Sequence, residues 1–300
     1  MQGYLKLIKF DNLILIAIAQ LCIKYGLFEP FDIDITLNGF GIFLLIISTI
    51  SLVAAENVML EIQDKEHPNA KGLMNGILSE KVANRLFIIF NVIGVCIGFY
   101  LSNIIGKPKL AALFIVVSGI FYIYATHLKE ILVLKNVLVG IMMALGLIAV
   151  GIFDLLPAIT EKNLASQKVI FLIIVDYSFF AFIVVTIREI VKDCLMIDKD
   201  HNAGIRTIPI VLGKDRTTKL ISGLTIIPIA LIIYYVYTYL FSNSVAVVLV
   251  LGILVAPLLY FMFKSWNAET NKDFKTLSLI LKLVLFLASL SLLLYQFILK

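Results

Sequence analysis

The chain has 300 residues, of which 61% are hydrophobic and 15% charged, with a formal net charge of +5. Soluble domains are about half apolar and about a quarter charged, so this composition, with a mean hydropathy of +1.03, excludes an ordinary soluble domain and points to a polytopic membrane protein. The positive balance reads as a charge distribution across a membrane, not as a nucleic-acid footprint.

About 20 apolar residues carry a helix across the hydrocarbon core. Nine runs meet that length, at 10–29, 38–60, 84–105, 109–127, 133–155, 168–188, 219–240, 244–263 and 278–299. The expected fold is therefore an all-α polytopic membrane protein, with about nine transmembrane helices in one bundle around a central cavity. No long polar linker divides the chain, so 1–300 is expected to form a single transmembrane domain. The opening stretch, MQGYLKLIKFDNLILIAIAQ, has no small-residue cleavage site after its apolar run and reads as a retained first helix. Cys22, Cys96 and Cys194 are far apart, as are His67, His127 and His201, and neither set has metal-site or disulfide-framework spacing.

Nine crossings put the termini on opposite sides. If the N-terminus is cytoplasmic, 18 of the 25 Lys and Arg fall on that side, among them Lys129, Lys135 and the cations of 188–219. The positive-inside rule supports this orientation. The expected location is an integral position in a bacterial cell inner membrane, with the N-terminus cytoplasmic and the C-terminus opposite. The two longest cytoplasmic links follow the second and sixth helices, and 56–83 and 189–218 are expected to be charged cytoplasmic loop regions.

Both links carry acids at helical spacing. In the second, Glu189 and Asp193 are four apart and share a helix face, and Asp200 lies two turns further on. Gly204, Pro209 and Gly213 then break the helix. In the first, Asn57, Glu61 and Asp64 fall on one face, with Glu56 beside them at the membrane boundary. Ionisable groups at that depth are costly and mark function. Carboxylates stacked along one face suit Mg²⁺, which takes oxygen ligands and substrate phosphates. Arg188, Lys192 and Arg206 are placed to hold the outer oxygens of a diphosphate. The competing reading is a solvated loop whose charges only fix topology.

The stretch REIVKDCLMIDKDHNAGIRTIPIVLG resembles the second signature of the UbiA-type intramembrane prenyltransferases, REIxKDxxDxxxDxxxGxxTxPxxxG. Arg188, Glu189, Lys192, Asp193, Asp200, Gly204, Thr207, Pro209 and Gly213 match it. KFDN at 9–12 is similar to the family's RPxN through Asn12, and YATHLKEILVLKN at 124–136 to its YSxxLKRxxxxxN through Tyr124, Lys129 and Asn136. The first signature, NDxxDxxxD, is degenerate: Glu56-Asn57, Leu60 and Asp64 stand in its positions, so one of three aspartates remains. Glu61 is one residue away from the missing central acid. In the second signature Met196 replaces the central aspartate, with Asp198 two residues on.

The resemblance implies Mg²⁺-dependent transfer of an isoprenyl group, from a polyprenyl diphosphate such as geranylgeranyl diphosphate, to a hydrophobic acceptor. That acceptor is aromatic or quinone-type, or a glycerol phosphate. It implies metal ligation by Glu56, Asp64, Asp193 and Asp200, with Asp64, Asp193 and Asp200 as the catalytic set. Diphosphate binding then falls to Asn12, Asn57, Lys65, Lys129, Lys192 and Arg206. Glu61, Glu189, Asp198, Tyr124 and Asn136 are further candidates. The partners expected are the diphosphate, the acceptor and the lipid bilayer, without nucleic acid. Two alternatives stand beside this reading: a divergent relative that binds a prenyl lipid without turnover, and a membrane transporter. A transporter should gather its ionisable groups near the bilayer midplane, whereas these acids collect at helix ends.

Overall fold

The computed structural model describes residues 2–66, 79–241 and 243–295, with side chains described for all of these but 2 and 64–66. Every regular element among them is helical. Among the described residues, nine helices are long and apolar enough to cross a membrane. They are α1 (Phe10–Phe31), α2 (Gly39–Gln63), α3 (Glu80–Ile104), α4 (Pro108–Thr126), α5 (Leu134–Ala158), α6 (Leu164–Leu195), α7 (Lys214–Leu240), α8 (Ser244–Trp266) and α9 (Asn271–Leu294). Each overlaps one of the nine apolar runs.

The differences lie at the ends. α6 continues to Leu195, seven residues past its expected end, so Glu189 and Asp193 stand on the membrane helix itself and not on a loop. α9 starts at Asn271 because Thr270 closes a capping box with Asp273, whose carboxylate accepts from the Thr270 hydroxyl at 2.6 Å. Hydropathy marks where the hydrocarbon stops; backbone hydrogen bonding carries a helix further, to the next cap. Beyond α6 the segment expected as a loop also folds into short helices, Ile197–Asn202 and Ile208–Leu212, before α7 begins at Lys214. Gly204 (φ 73°) and Gly213 (φ 83°) turn the chain between them, in backbone conformations that suit glycine.

The bundle is assembled as a lipid-soluble body. Large apolar side chains such as Phe40, Val92, Phe99, Val169, Val248 and Phe263 are exposed on its outside, where lipid takes the place of water. α1 packs against α2, α5 and α9, while α6 packs against α5, α7 and α9. Polar ties cross the interior: Gln20 on α1 donates to the Gly146 carbonyl on α5 at 2.7 Å and accepts from Thr49 on α2 at 3.0 Å. α5 lies close on α6 because Gly140 has no side chain. A Cβ there would stand 2.4 Å from the Thr186 hydroxyl and 2.7 Å from the Phe182 carbonyl oxygen.

The end of the bundle away from the two acidic segments is latched. Lys24, buried near the end of α1, pairs with buried Asp154 on α5 at 3.0 Å and also donates to the Leu37 carbonyl. Asp154 Oδ1 accepts the Leu37 backbone N–H at 2.9 Å. The link before α2 is tied further to α6, where Gln167 donates to the Asp34 carbonyl at 2.7 Å.

Candidate active site

At the opposite end, the sequence places four features together. The short helix Gln2–Leu7 stops at Lys9, which takes a left-handed conformation (φ 50°) that starts α1 in a new direction. Asn57 on α2 holds that bend by donating to the Ile8 carbonyl at 3.1 Å. α5 begins at a tight turn centred on Val133 (φ 67°, ψ −41°), where the Leu134 N–H bonds to the Leu132 carbonyl at 2.8 Å. This is the rare, strained form of the γ-turn, and a β-branched residue adopts it only when its surroundings enforce it. The turn delivers Lys135 and Asn136 to the flank of α6.

There they meet Asp193. Asn136, buried, donates to Asp193 Oδ2 at 2.9 Å, and Lys135 Nζ lies 2.7 Å from Asp193 Oδ1. The same ammonium is 3.7 Å from Asp200 Oδ2. α6 ends before Asp200, yet the short helix after it returns this carboxylate to the Asp193 side, where it is buried. One turn earlier on α6, Glu189 accepts from Lys192 at 2.5 Å. Arg188 reaches across to α1 and α9, donating to Asn12 at 3.5 Å and to the Ser278 carbonyl at 3.3 Å.

These groups wall an open chamber of about 700 Å³. Eight lysine and arginine side chains line it against five carboxylates among the described residues: Lys6, Lys9, Lys129, Lys135, Arg188, Lys192, Lys199 and Lys282 face Asp11, Glu61, Glu189, Asp193 and Asp200. Among these described residues positive charge is in excess, which suits an anion. Lys9, Asn12, Leu60, Tyr124, Arg188, Glu189 and Lys192 form a neck leading to an inner cavity of about 110 Å³. Below the neck the walls are apolar, including Leu15, Ile16, Val53, Phe121, Val139, Met142, Met143 and Leu285. Glu56 and Asn57 stand at the top of this inner cavity with Lys9, Glu189 and Lys192.

The sequence expectation of a metal can be tested on the donor set. Asp193 and Asp200 converge on one cation position, held by Lys135. Among the described residues, no three His, Cys, Asp or Glu side chains gather closely enough to hold a metal alone. Mg²⁺ does not need three, since it commonly uses one or two carboxylates and takes its other ligands from water and phosphate. The Asp193–Asp200 pair fits that chemistry.

The family model for the UbiA prenyltransferases matches residues 14–296. The chain belongs to the UbiA prenyltransferase family. It is 26% identical over 262 residues to the digeranylgeranylglyceryl phosphate synthase of Methanobrevibacter smithii, covering 85% of each chain. Among solved structures, it resembles the apo form of a UbiA homologue from Aeropyrum pernix K1, with a TM-score of 0.70, 15% identity and coverage of 96% and 98% of the two chains. It also resembles a UbiA homologue from Archaeoglobus fulgidus bound to DMAPP and Mg²⁺, with a TM-score of 0.60, 16% identity and coverage of 97% and 99%.

Within this UbiA-family bundle the residues named from sequence are distributed unevenly. Asn12, Glu61, Tyr124, Lys129, Glu189, Lys192, Asp193 and Asp200 all line the chamber. Glu56 and Asn57 line the inner cavity, and Asn136 lies behind Asp193 as its hydrogen-bond donor. Arg206 and Asp198 are exposed, and neither lines the chamber or the inner cavity. Asp64 and Lys65 lie outside the described side chains. Lys6, Lys9, Lys135 and Lys199, counted from sequence only as topology-setting charges, also line the chamber, and of these Lys135 makes the ion pairs with Asp193 and Asp200. Its signal was its place beside Asn136 in the first turn of a membrane helix.

Proposed function

We propose that this chain transfers an isoprenyl group from a polyprenyl diphosphate to an acceptor that itself carries a phosphate, of the glycerol-phosphate type. One observation carries the reading: a chamber whose described residues include more cations than carboxylates shares a wall of seven residues with a largely apolar cavity. An amphiphile with a strongly anionic head and a hydrocarbon tail matches both halves. The cation excess among the described residues supports a phosphate-bearing acceptor beside the diphosphate, over a neutral aromatic one. The relative from Methanobrevibacter smithii, by its name, makes a prenylated glyceryl phosphate.

In this reading Lys129, Lys135 and Lys192 hold the diphosphate oxygens and stabilise the charge that grows on them as the allylic C–O bond breaks. Asp193 and Asp200 would hold Mg²⁺, which would add Lewis-acid stabilisation of the same leaving group. Phe121 and Tyr124 border the path of the allylic carbon, where their electron-rich faces stabilise positive charge. The apolar walls below the neck exclude water that would otherwise capture the cation. Glu56, buried at the top of the inner cavity, is the carboxylate placed to take the proton from the acceptor hydroxyl. The chamber end is the cytoplasmic end in this proposal, consistent with the bias of Lys and Arg.

The test is pyrophosphate release from geranylgeranyl diphosphate by the purified protein, with Mg²⁺ or with EDTA, against a prenylglyceryl phosphate and a quinone-precursor acceptor. Release that needs both Mg²⁺ and the glyceryl phosphate is the expected result. Release driven only by the aromatic acceptor overturns the acceptor assignment. Absence of release with every acceptor overturns the transfer reading itself.

A further inference from the structure

α6 carries one carboxylate that the chamber does not use. Asp176 precedes Arg188 by twelve residues, about 18 Å along a helix axis. It therefore sits inside the span, far from the chamber. No hydrogen bond or ion pair reaches it from the described residues, and it is exposed at the bundle surface between apolar neighbours. An acid at such depth is costly and persists where it has a task.

Asp176 lines a separate cavity of about 340 Å³ in the half of the bundle away from the chamber. Tyr177, Tyr235, Tyr239 and Tyr295 share its wall. Their hydroxyls are organised: Tyr177 and Ser291 bond at 2.8 Å, and Tyr235 bonds to Tyr295. An independent feature marks the same place. α7 relaxes into a π-helical turn at Val236–Leu240 and α8 into another at Leu251–Val255. The first supplies Tyr239 and Leu240 to the wall and the second supplies Leu254. π-turns are rare and concentrate at functional sites, because the extra residue re-aims side chains. Phe179, Tyr234 and Tyr239 on the rim are exposed, so the cavity opens sideways, toward lipid.

The lining selects the ligand. Among the described residues it contains one carboxylate and several phenols, with no lysine or arginine. A phosphate or diphosphate head would meet a carboxyl group and no cation among the described residues. The depth also disfavours any permanently charged head. A hydroxyl on an apolar body meets both conditions: it donates to Asp176 while its body lies against the tyrosine rings. We infer that Asp176 and the tyrosines around it form a second, membrane-facing binding site for an uncharged hydroxyl-bearing lipid, an isoprenoid alcohol or a quinol. This goes beyond the transfer reaction and does not depend on it.

The experiment measures binding to the full chain in lipid nanodiscs. The probes are geranylgeraniol and a prenylated hydroquinone, with dodecylamine and geranylgeranyl phosphate as charged comparators. One or both hydroxyl probes should saturate, and their ratio tells alcohol from quinol. Asp176→Leu should weaken that binding roughly tenfold, the loss of one hydrogen bond. Asp176→Asn, whose amide oxygen still accepts, should lose less. Asp193→Ala and saturating geranylgeranyl diphosphate should leave it unchanged. Equal affinity in wild type and Asp176→Leu overturns the site, as does displacement by the diphosphate, which would move the alcohol to the chamber. Equal losses in the Leu and Asn variants, or stronger binding of the amine or the phosphate, overturn the hydroxyl assignment.

Discussion

The two ends of the bundle treat buried charge in opposite ways. At the latched end, Lys24 and Asp154 are sealed, with side-chain exposures of 2% and 0%. Both Asp154 oxygens are taken, Oδ1 by Lys24 and the Leu37 N–H and Oδ2 by Lys24. Nothing is left over for a ligand, and the cluster ties α1, α5 and the link before α2 into one piece. At the chamber end the carboxylates are outnumbered among the described residues, and one ammonium lies within reach of both Asp193 and Asp200. That cluster faces open space and has positive charge available to a guest. A self-satisfied pair is a fastener, whereas a cluster with surplus charge beside a cavity is a binding site.

The contrast can be broken by removing one carboxylate from each end. Asp154→Ala strands Lys24 in the interior, which costs about 3–5 kcal/mol. The expected outcome is a large drop in the thermal midpoint in detergent, with prenyl transfer per folded molecule unchanged. Asp193→Ala should do the reverse. Its loss removes several kcal/mol of leaving-group stabilisation, lowering turnover about a hundredfold or more, while the midpoint falls less than in Asp154→Ala, because the ammonium left behind, Lys135, lines the open chamber and is not sealed as Lys24 is. If both variants lose stability equally and Asp193→Ala keeps its activity, the chamber cluster is a second fastener.

The fold was legible because nine spans are written as apolar runs, and lipid on the outside removes ambiguity about where such runs go. The helix ends were not, since caps such as Thr270–Asp273 act locally and leave hydropathy unchanged. Of the chamber, the α6 face was readable from the four-residue spacing of Glu189 and Asp193. What escaped was everything set by contact between distant segments. Lys135 reaches Asp193 only because the turn at Val133 and the small Gly140 bring α5 against α6. Lys24 and Asp154 are 130 positions apart, and each looks like an ordinary span end until the fold joins them. Asp176 is a lone acid within an apolar run, but apart from Tyr177 its tyrosine neighbours come from α7 and from Tyr295 just after α9.

Lys135 sharpens the comparison further, because it stands where a divalent ion would be held. Lys135→Met removes the cation shared by Asp193 and Asp200 and leaves two converging carboxylates. The half-saturating Mg²⁺ concentration should fall several-fold, since the metal no longer competes with an ammonium. Turnover at saturating Mg²⁺ should fall about 10- to 100-fold, as one charge on the leaving group is lost. An unchanged Mg²⁺ requirement would separate Lys135 from the metal position and leave it a diphosphate ligand alone.

The smallest effect tests where the chamber ends. Arg206 and Asp198 belong to the charged segment after α6, and Arg206 follows the turn at Gly204 that the signature shares. Both are exposed and neither lines the chamber, so a charge there acts on the diphosphate only through solvent. At physiological salt such an interaction is screened within about 8 Å. Arg206→Ala and Asp198→Ala should each leave turnover within about twofold of wild type, a few tenths of a kcal/mol by the usual conversion. Any residual effect should vanish as ionic strength rises. A salt-resistant, tenfold loss in Arg206→Ala would mean that the Ile208–Leu212 helix and its preceding turn close over the bound diphosphate. The chamber would then extend past Asp200 to include a cation that lies outside it when no substrate is present.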